Sequence, residues 1–153
     1  KLMALLLLGT AIWLTSILVK LNSDFFYSPK SNIDNQIIAN WDIANNIELP
    51  NQLARQGKIV FIDITADWCL TCKVNKFLVI DTKDVKELFQ KHKVTVLRLD
   101  WTKPNYEIKR FLSRKGRYGI PFNEIYGPSL PNGKIFPELL NQNTIKEYIT
   151  LAK

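Results

Sequence analysis

The chain has 153 residues, of which 46% are hydrophobic and 23% are charged, and this balance suits one packed globular domain. Its net charge of +7 comes from lysines and arginines that are scattered among acidic residues, so we do not expect nucleic acid as a partner. Two cysteines are too few for a scaffold built on several disulfides.

The apolar residues are concentrated at the start of the chain, where Leu2 to Val19 carry no charge. As a helix this run spans about 27 Å, close to the roughly 30 Å thickness of a bilayer's hydrocarbon core. We therefore predict a transmembrane helix at residues 1–21, followed by a surface linker at residues 22–40. A cleaved signal peptide is the alternative, although its apolar core is usually shorter and no A-x-A-like cleavage site lies between Lys20 and Lys30.

The remainder of the chain, residues 41–153, alternates between patterns typical of strands and patterns typical of helices. Apolar spacing predicts helices at residues 48–56, 69–80, 83–91, 106–114 and 144–152, and strands at residues 58–65, 94–100, 121–126 and 134–136. Pro128, Pro131 and Gly133 bracket a turn between the last two strands. This order predicts an α/β domain with a mixed central sheet that is covered by helices on both faces.

The two cysteines form a Cys-x-x-Cys motif at Cys69 and Cys72, where a strand pattern gives way to a helical pattern. Unpaired backbone N–H groups and the helix dipole at a first turn stabilise a thiolate, so Cys69 is predicted to be the attacking sulfur. Cys72 lies on the same helix face and is predicted to resolve the mixed disulfide. Trp68, directly before the motif, is placed to shield the sulfurs. The sequence therefore indicates thiol-disulfide exchange, with no cofactor beyond the disulfide itself.

Two other uses of a Cys-x-x-Cys pair fit the sequence less well. A ring of four residues stabilises a fold by only about 2 kcal/mol in the loop-entropy model, so a structural staple is disfavoured. A zinc site needs two more ligands, and His92 is the one other candidate of that kind. We therefore expect a reaction centre at Cys69 and Cys72, and no metal.

One acidic residue stands out, because Asp63 precedes Cys69 by six residues and lies within a run of Val, Phe and Ile. Burial disfavours the charged form of a carboxyl group, which would bring Asp63 into the working range of a proton relay for the sulfurs. The alternative is an aspartate at a solvent-facing edge of the sheet.

The pair Ile120-Pro121 begins another apolar strand. A proline is tolerated at the start of a strand because the ladder needs no N–H there. The spacing alone leaves the Ile120-Pro121 peptide bond open to either the cis or the trans form.

The combination of the aspartate, the Trp-Cys-x-x-Cys motif and the Ile-Pro pair makes residues 41–153 resemble the thioredoxin family. More narrowly, residues 65–75, 100–102 and 119–121 are similar to the C-terminal domain of the DsbD family of membrane thiol:disulfide interchange proteins, with the ScsB branch as the nearest likeness. The resemblance implies a thioredoxin-like fold, with Pro121 in the cis form and lying against the cysteine pair.

The resemblance also implies a location and partners. The domain would face the periplasm from the bacterial inner membrane, and residues 1–21 would be the last span of a membrane domain in a longer protein. That membrane domain would donate electrons to Cys69 and Cys72. The acceptor would be a disulfide in a periplasmic protein or domain.

Two residues depart from the family pattern. Lys76 stands where a glutamate is common, and a cation there should favour the thiolate form of Cys69. Phe122, which follows the proline, is bulkier than usual and leaves the partner preference open.

Two functional hypotheses follow from these residues. The first is a membrane-tethered protein-disulfide reductase that acts through Cys69 and Cys72. The second is a non-catalytic module of the same fold that holds a partner or a soft metal such as Cu(I) on the two thiolates. Electron transfer to a disulfide substrate distinguishes them.

Overall fold

The computed structural model describes residues 10–16, 37–38, 43 and 46–153. The chain divides into two units, residues 1–32 and 33–153. Residues 10–16 are helical and exposed. The predicted transmembrane helix at residues 1–21 lies mostly outside the described part of the chain, and within the described part no helix is long and apolar enough to cross a bilayer.

The second unit is built on a five-stranded mixed sheet in the order β1-β3-β2-β4-β5. β1 and β2 run parallel to β3, whereas β4 runs antiparallel to both β2 and β5. The strands are β1 (Ile37–Ile38), β2 (Val60–Thr65), β3 (Thr95–Asp100), β4 (Phe122–Gly127) and β5 (Leu130–Ile135). All six residues of β2 are buried, as expected for a central strand with both faces covered.

Within the described residues of this unit, five α-helices and one π-helix accompany the sheet. They are α1 (Leu49–Arg55), α2 (Leu70–Asn75), the π-helix (Lys76–Ile80), α3 (Lys83–Lys91), α4 (Tyr106–Arg114) and α5 (Gln142–Ala152). One face of the sheet packs against the π-helix, α3 and α5 in a core that includes Phe61, Phe89 and Ile145. The other face packs against α1 and α4. The predicted mixed sheet with helices on both faces is confirmed.

The helix predicted at residues 69–80 changes its hydrogen-bonding pattern halfway. After Asn75 the backbone widens into a π-helical turn, in which Asp81 N donates to Lys76 O across five residues at 2.8 Å. π-helical turns are rare and are frequent at functional sites. Here the turn comes directly after the helix that carries the two cysteines.

The predicted return strand at residues 134–136 was too short. β5 already begins at Leu130, so Pro131 and Gly133 lie within the strand and not in the turn. Proline is compatible with this position because β5 is at the edge of the sheet, where some N–H groups need no partner in the ladder.

The segment predicted as a linker contributes one element to the sheet. Ile37 and Ile38 pair with Val96 and Leu97 and form the edge strand β1. A strand of two residues is too short for an alternating pattern to be visible in the sequence.

Candidate active site

The two cysteines lie at the start of α2, immediately after the turn that leaves β2. They are joined by a disulfide, and both are buried at 5% and 3% exposure. Cys69 is the N-cap of α2, where Cys72 N donates to its sulfur at 3.2 Å. A sulfur in this position receives a backbone N–H from the first turn, which is the arrangement that stabilises a thiolate.

Ile120 and Pro121 lie directly before β4, and Ile120 contributes to the surroundings of the disulfide. Their peptide bond is cis, as the resemblance implied. The Ile120 side chain packs against a small buried cluster formed by Ala66, Cys69 and Cys72. The structure thus brings together residues that are about fifty positions apart in the sequence.

Asp63 lies on the central strand, on the face of the sheet that packs against the π-helix. It is 3% exposed, so the solvent-facing alternative is wrong. Its carboxylate accepts hydrogen bonds from Arg98 Nε at 2.8 Å and from Asn123 Nδ2 at 3.1 Å. Arg98 and Asn123 are its direct partners in the strand register, so three polar side chains form a row across β3, β2 and β4.

Lys76 opens the π-helical turn and is half-buried. Burial lowers the pKa of its ammonium group, and the positive charge of Arg98 acts in the same direction. The carboxylates of Asp63, Asp81 and Asp100 act in the opposite direction, with Asp63 the strongest of the three. Two cations, Arg98 of the polar row and Lys76 of the π-helical turn, therefore lie within electrostatic reach of one another and of the buried Asp63.

Two further predicted site residues lie in contrasting environments. Trp68 is 63% exposed, so most of its ring faces solvent, directly before the cysteines in the sequence. Phe122 is 2% exposed and packs edge-on against Phe111, with ring centroids 5.9 Å apart. Alternation along β4 directs Phe122 into the core with α4, so the structure does not bring it to the surface around the disulfide.

The sequence pattern did not predict Arg98 and Asn123, the two hydrogen-bond partners of Asp63, as site residues. Each interrupts an otherwise apolar strand with a polar side chain, which is a detectable signal. Their proximity to Asp63 depends on the register of three strands, and periodicity within one strand does not contain that information.

Comparison with known proteins agrees with this site. The family model described as thioredoxin-like matches residues 47–128, more than half of the chain. The chain is 32% identical over 80 residues to the thiol:disulfide interchange protein DsbD of Haemophilus influenzae strain PittEE, and equally to DsbD of strain PittGG. The alignment covers 52% of this chain and 14% of each relative, so the chain spans a small part of their length.

Solved structures show the same fold. The C-terminal domain of Neisseria meningitidis DsbD in the reduced form matches with a TM-score of 0.56 at 18% identity, covering 75% of this chain and 98% of that one. The oxidised form gives 0.57, at 18% identity and 73% and 97% coverage. Thioredoxin NaTrxh from Nicotiana alata gives 0.52, at 17% identity and 82% and 99% coverage.

The disulfide and its position at the start of a helix form an arrangement that is suited to thiol-disulfide exchange. The family match, the strand order and the cis proline agree with one another. The chain belongs to the thioredoxin-like family.

Proposed function

We propose that this chain is the membrane-tethered reducing module of a thiol:disulfide interchange system and reduces disulfides in a periplasmic partner. The observation that carries the proposal is the Cys69–Cys72 disulfide at the N-terminus of α2, with Ile120 packed against it. The charge-free run from Leu2 to Val19 and the similarity to DsbD support the membrane tether and the periplasmic location.

The exchange proceeds in two steps. The Cys69 thiolate attacks one sulfur of the partner disulfide, which forms a mixed disulfide and releases one partner thiolate. Cys72 then loses its proton, and its thiolate attacks the sulfur of Cys69, which closes the Cys69–Cys72 bond and releases the second partner thiolate. The partner takes up two electrons and two protons in total. A dithiol in the membrane domain is the proposed donor that restores the reduced chain.

Asp63 is the proposed acceptor of the Cys72 proton. It is the buried carboxylate on the strand that leads into the cysteine turn, and it pairs with Arg98 at 2.8 Å. The polar row of Arg98, Asp63 and Asn123 also fixes the orientation of the carboxylate, because each of its oxygens receives one hydrogen bond.

The activity is tested with the dithiothreitol-reduced chain and insulin as the disulfide substrate. We expect reduction of insulin by the wild-type chain and none by Cys69→Ala. Cys72→Ala should accumulate the mixed disulfide, because the resolving sulfur is absent, and mass spectrometry of the trapped species identifies the partner in a periplasmic extract. The double variant Cys69→Ala, Cys72→Ala is the matched control and should trap nothing.

Two results would contradict the proposal. Stoichiometric binding of Cu(I) by the reduced chain, without electron transfer to insulin, would favour a metal-binding module. Release of the native full-length protein from membranes by alkaline carbonate would contradict the tether, because an integral helix stays in the bilayer under that treatment.

A further inference from the structure

A groove is formed between Trp68, the residue directly before Cys69, and the segment that follows β3. It has a volume of about 540 Å³, within the range of sites that bind large side chains or small ligands. Three aromatic rings dominate its lining. The lining residues are Trp68, Trp101, Thr102, Pro104, Asn105, Tyr106 and Lys109. Trp68 directly precedes Cys69, so one wall of the groove belongs to the residue before the attacking sulfur.

Hydrogen bonds hold the walls of the groove in place. Asp67 N donates to Thr102 Oγ1 at 2.9 Å, which ties the turn before the cysteines to the loop after β3. Trp101 N donates to Thr65 O at 2.7 Å and extends the pairing of β2 and β3. Asn105 caps α4. The groove is therefore formed before anything binds to it, which reduces the ordering cost of binding.

Two rings of the groove are unusually open to solvent. Trp68 is 63% exposed and Tyr106 is 72% exposed. Large aromatic side chains that lie exposed around a preformed groove are typical anchors of a binding surface, because covering them removes apolar area from water.

The charge of the groove indicates which side chains it attracts. Among the described residues, Lys109 is the one charged side chain of the lining, and it forms no ion pair there. The neighbouring acids are already engaged. Asp100 accepts hydrogen bonds from Thr102, and Glu107 pairs with Arg110. A carboxylate on an incoming chain would therefore find Lys109 available.

We propose that this groove binds the polypeptide segment that flanks the partner's disulfide, and that it selects an apolar or aromatic side chain next to a carboxylate. This inference rests on the proposed disulfide reduction. The rings of Trp68 and Tyr106 cover the apolar side chain, and Lys109 faces the carboxylate. The groove thereby favours disulfides in acidic surroundings over those in basic surroundings.

Two synthetic peptides test the groove. Each contains one intramolecular disulfide, and they differ in a single flanking pair, Phe-Glu in one and Phe-Lys in the other. The rate of reduction by the dithiothreitol-reduced full chain is followed at low substrate concentration, with neutral hydroxyethyl disulfide as a measure of exchange alone. We expect the acidic peptide to react about threefold faster, the size of an exposed ion pair. The preference should disappear in about 1 M salt.

Three variants assign the preference to the groove. Lys109→Glu should reverse it, so that the basic peptide reacts faster. Tyr106→Ala should slow both peptides. Lys146→Glu, an exposed charge reversal of the same size on α5, which packs on the opposite face of the sheet, should keep the wild-type preference. Lys109 and Tyr106 are exposed, so these changes leave the core intact.

The outcomes separate this inference from the proposed function. If the wild-type chain reduces hydroxyethyl disulfide but reduces the two peptides at equal rates, the selectivity of the groove is wrong and the reductase activity still stands. If the wild-type chain reduces neither hydroxyethyl disulfide nor the peptides, the proposed function itself is wrong. If sedimentation shows a dimer that the Tyr106→Ala variant no longer forms, a second copy of the chain occupies the groove, and the assignment of the groove to a partner peptide is wrong.

Discussion

Arg98 and Asp63 face each other across the parallel strands β3 and β2, where Arg98 Nε donates to Asp63 Oδ2 at 2.8 Å. The carboxylate is 3% exposed, whereas the arginine side chain keeps 26% exposure. The pair therefore lies between the buried sheet and the solvent. A counter-ion at this distance offsets part of the cost of burying the carboxylate, so the two side chains are expected to be coupled in stability.

Removal of Arg98 should destabilise the fold. Arg98→Leu leaves the Asp63 carboxylate buried with Asn123 as its remaining partner. We expect the free energy of unfolding to fall by about 2 kcal/mol. This is less than the loss from breaking a fully buried ion pair, because Arg98 is partly exposed. Urea unfolding measures it. The double variant Asp63→Asn, Arg98→Leu should recover part of the loss, and strictly additive effects would contradict the coupling.

Replacement of the buried acid should affect the reaction more than the fold. Asp63→Asn keeps the shape of the side chain but removes the base, so we expect exchange at neutral pH to slow by up to about 100-fold, the lower end of general-base effects. Stopped-flow reduction of insulin gives the rate, and urea unfolding gives the stability. Asp84→Asn, an exposed carboxylate on α3, is the control. Equal rates in Asp63→Asn and wild type would end the relay role.

The sequence predicted the parts of this site that depend on local pattern. The cysteine motif, the buried aspartate and the bounds of α3 and α4 all follow from residues close together in the chain. α4, for example, has a strong apolar face and begins after Asn105, whose side chain accepts hydrogen bonds from Glu107 N and Ile108 N. Short-range signals of this kind are readable without the tertiary structure.

The parts that were missed depend on long-range pairing or on subtle backbone changes. Arg98 and Asn123 reach Asp63 through the register of three strands. The π-helical turn at Lys76–Ile80 has the apolar spacing of an ordinary helix, and the exchange of one hydrogen-bond partner leaves no mark on that spacing. Gly133 has the residue type of a turn, but it lies within β5, where the Glu124 side chain of β4 occupies the space that a Cβ would need.

Gly133 should tolerate no side chain. It adopts a φ of +80°, and a Cβ there would collide with the Glu124 carboxylate and approach Tyr126 Cζ to 2.7 Å. Gly57 is the matched control, since its φ is +84° and the space that a Cβ would enter is empty to a distance of 4 Å. We expect Gly57→Ala to cost about 1 kcal/mol from backbone strain alone and Gly133→Ala about 3 kcal/mol. Equal losses in urea unfolding would contradict the collision.

Glu124 should make the stability depend on pH. Its carboxylate is buried on β4, where Lys115 Nζ donates to Oε1 at 2.8 Å and the Tyr126 hydroxyl donates to Oε2 at 2.9 Å. Burial raises the pKa of Glu124, and the contacts with Lys115 and Tyr126 oppose that rise without cancelling it. The folded chain therefore binds this proton more tightly than the unfolded chain, so the contribution of Glu124 to stability falls as pH rises above about 4.5.

The comparison with Glu124→Gln isolates this effect. The amide does not titrate, so the free energy of unfolding of wild type minus that of the variant should decrease as pH rises from 4.5 toward neutrality. Glu138→Gln is the control, because Glu138 pairs with Arg117 at the surface with 69% exposure of its side chain. A difference that increases with pH would show that the contact with Lys115 outweighs burial.

Lys76 should set the ease with which Cys69 ionises. It lies four residues after Cys72, at the start of the π-helical turn that follows α2, it is half-buried, and it interacts electrostatically with Asp63. Lys76→Glu exchanges a cation for an anion beside that carboxylate, which disfavours a second negative charge on the sulfur. We expect the midpoint of Cys69 alkylation against pH to rise by about one pH unit, at the lower end of what a nearby charge produces.

A series at this position separates charge from packing. The rate of iodoacetamide reaction is measured from about pH 5 to about pH 10 in a Cys72→Ala background, where Cys69 is the one remaining thiol. Lys76→Met keeps the length of the side chain without charge and should fall between the wild type and Lys76→Glu. If Lys76→Met and Lys76→Glu give the same midpoint, the charge at position 76 does not affect the ionisation of Cys69, and the packing of the lysine side chain is responsible for any difference from the wild type. If all three midpoints coincide at strongly alkaline pH, Lys76 has no influence on Cys69, and the hydrogen bond from the first turn of α2 is left as the source of activation.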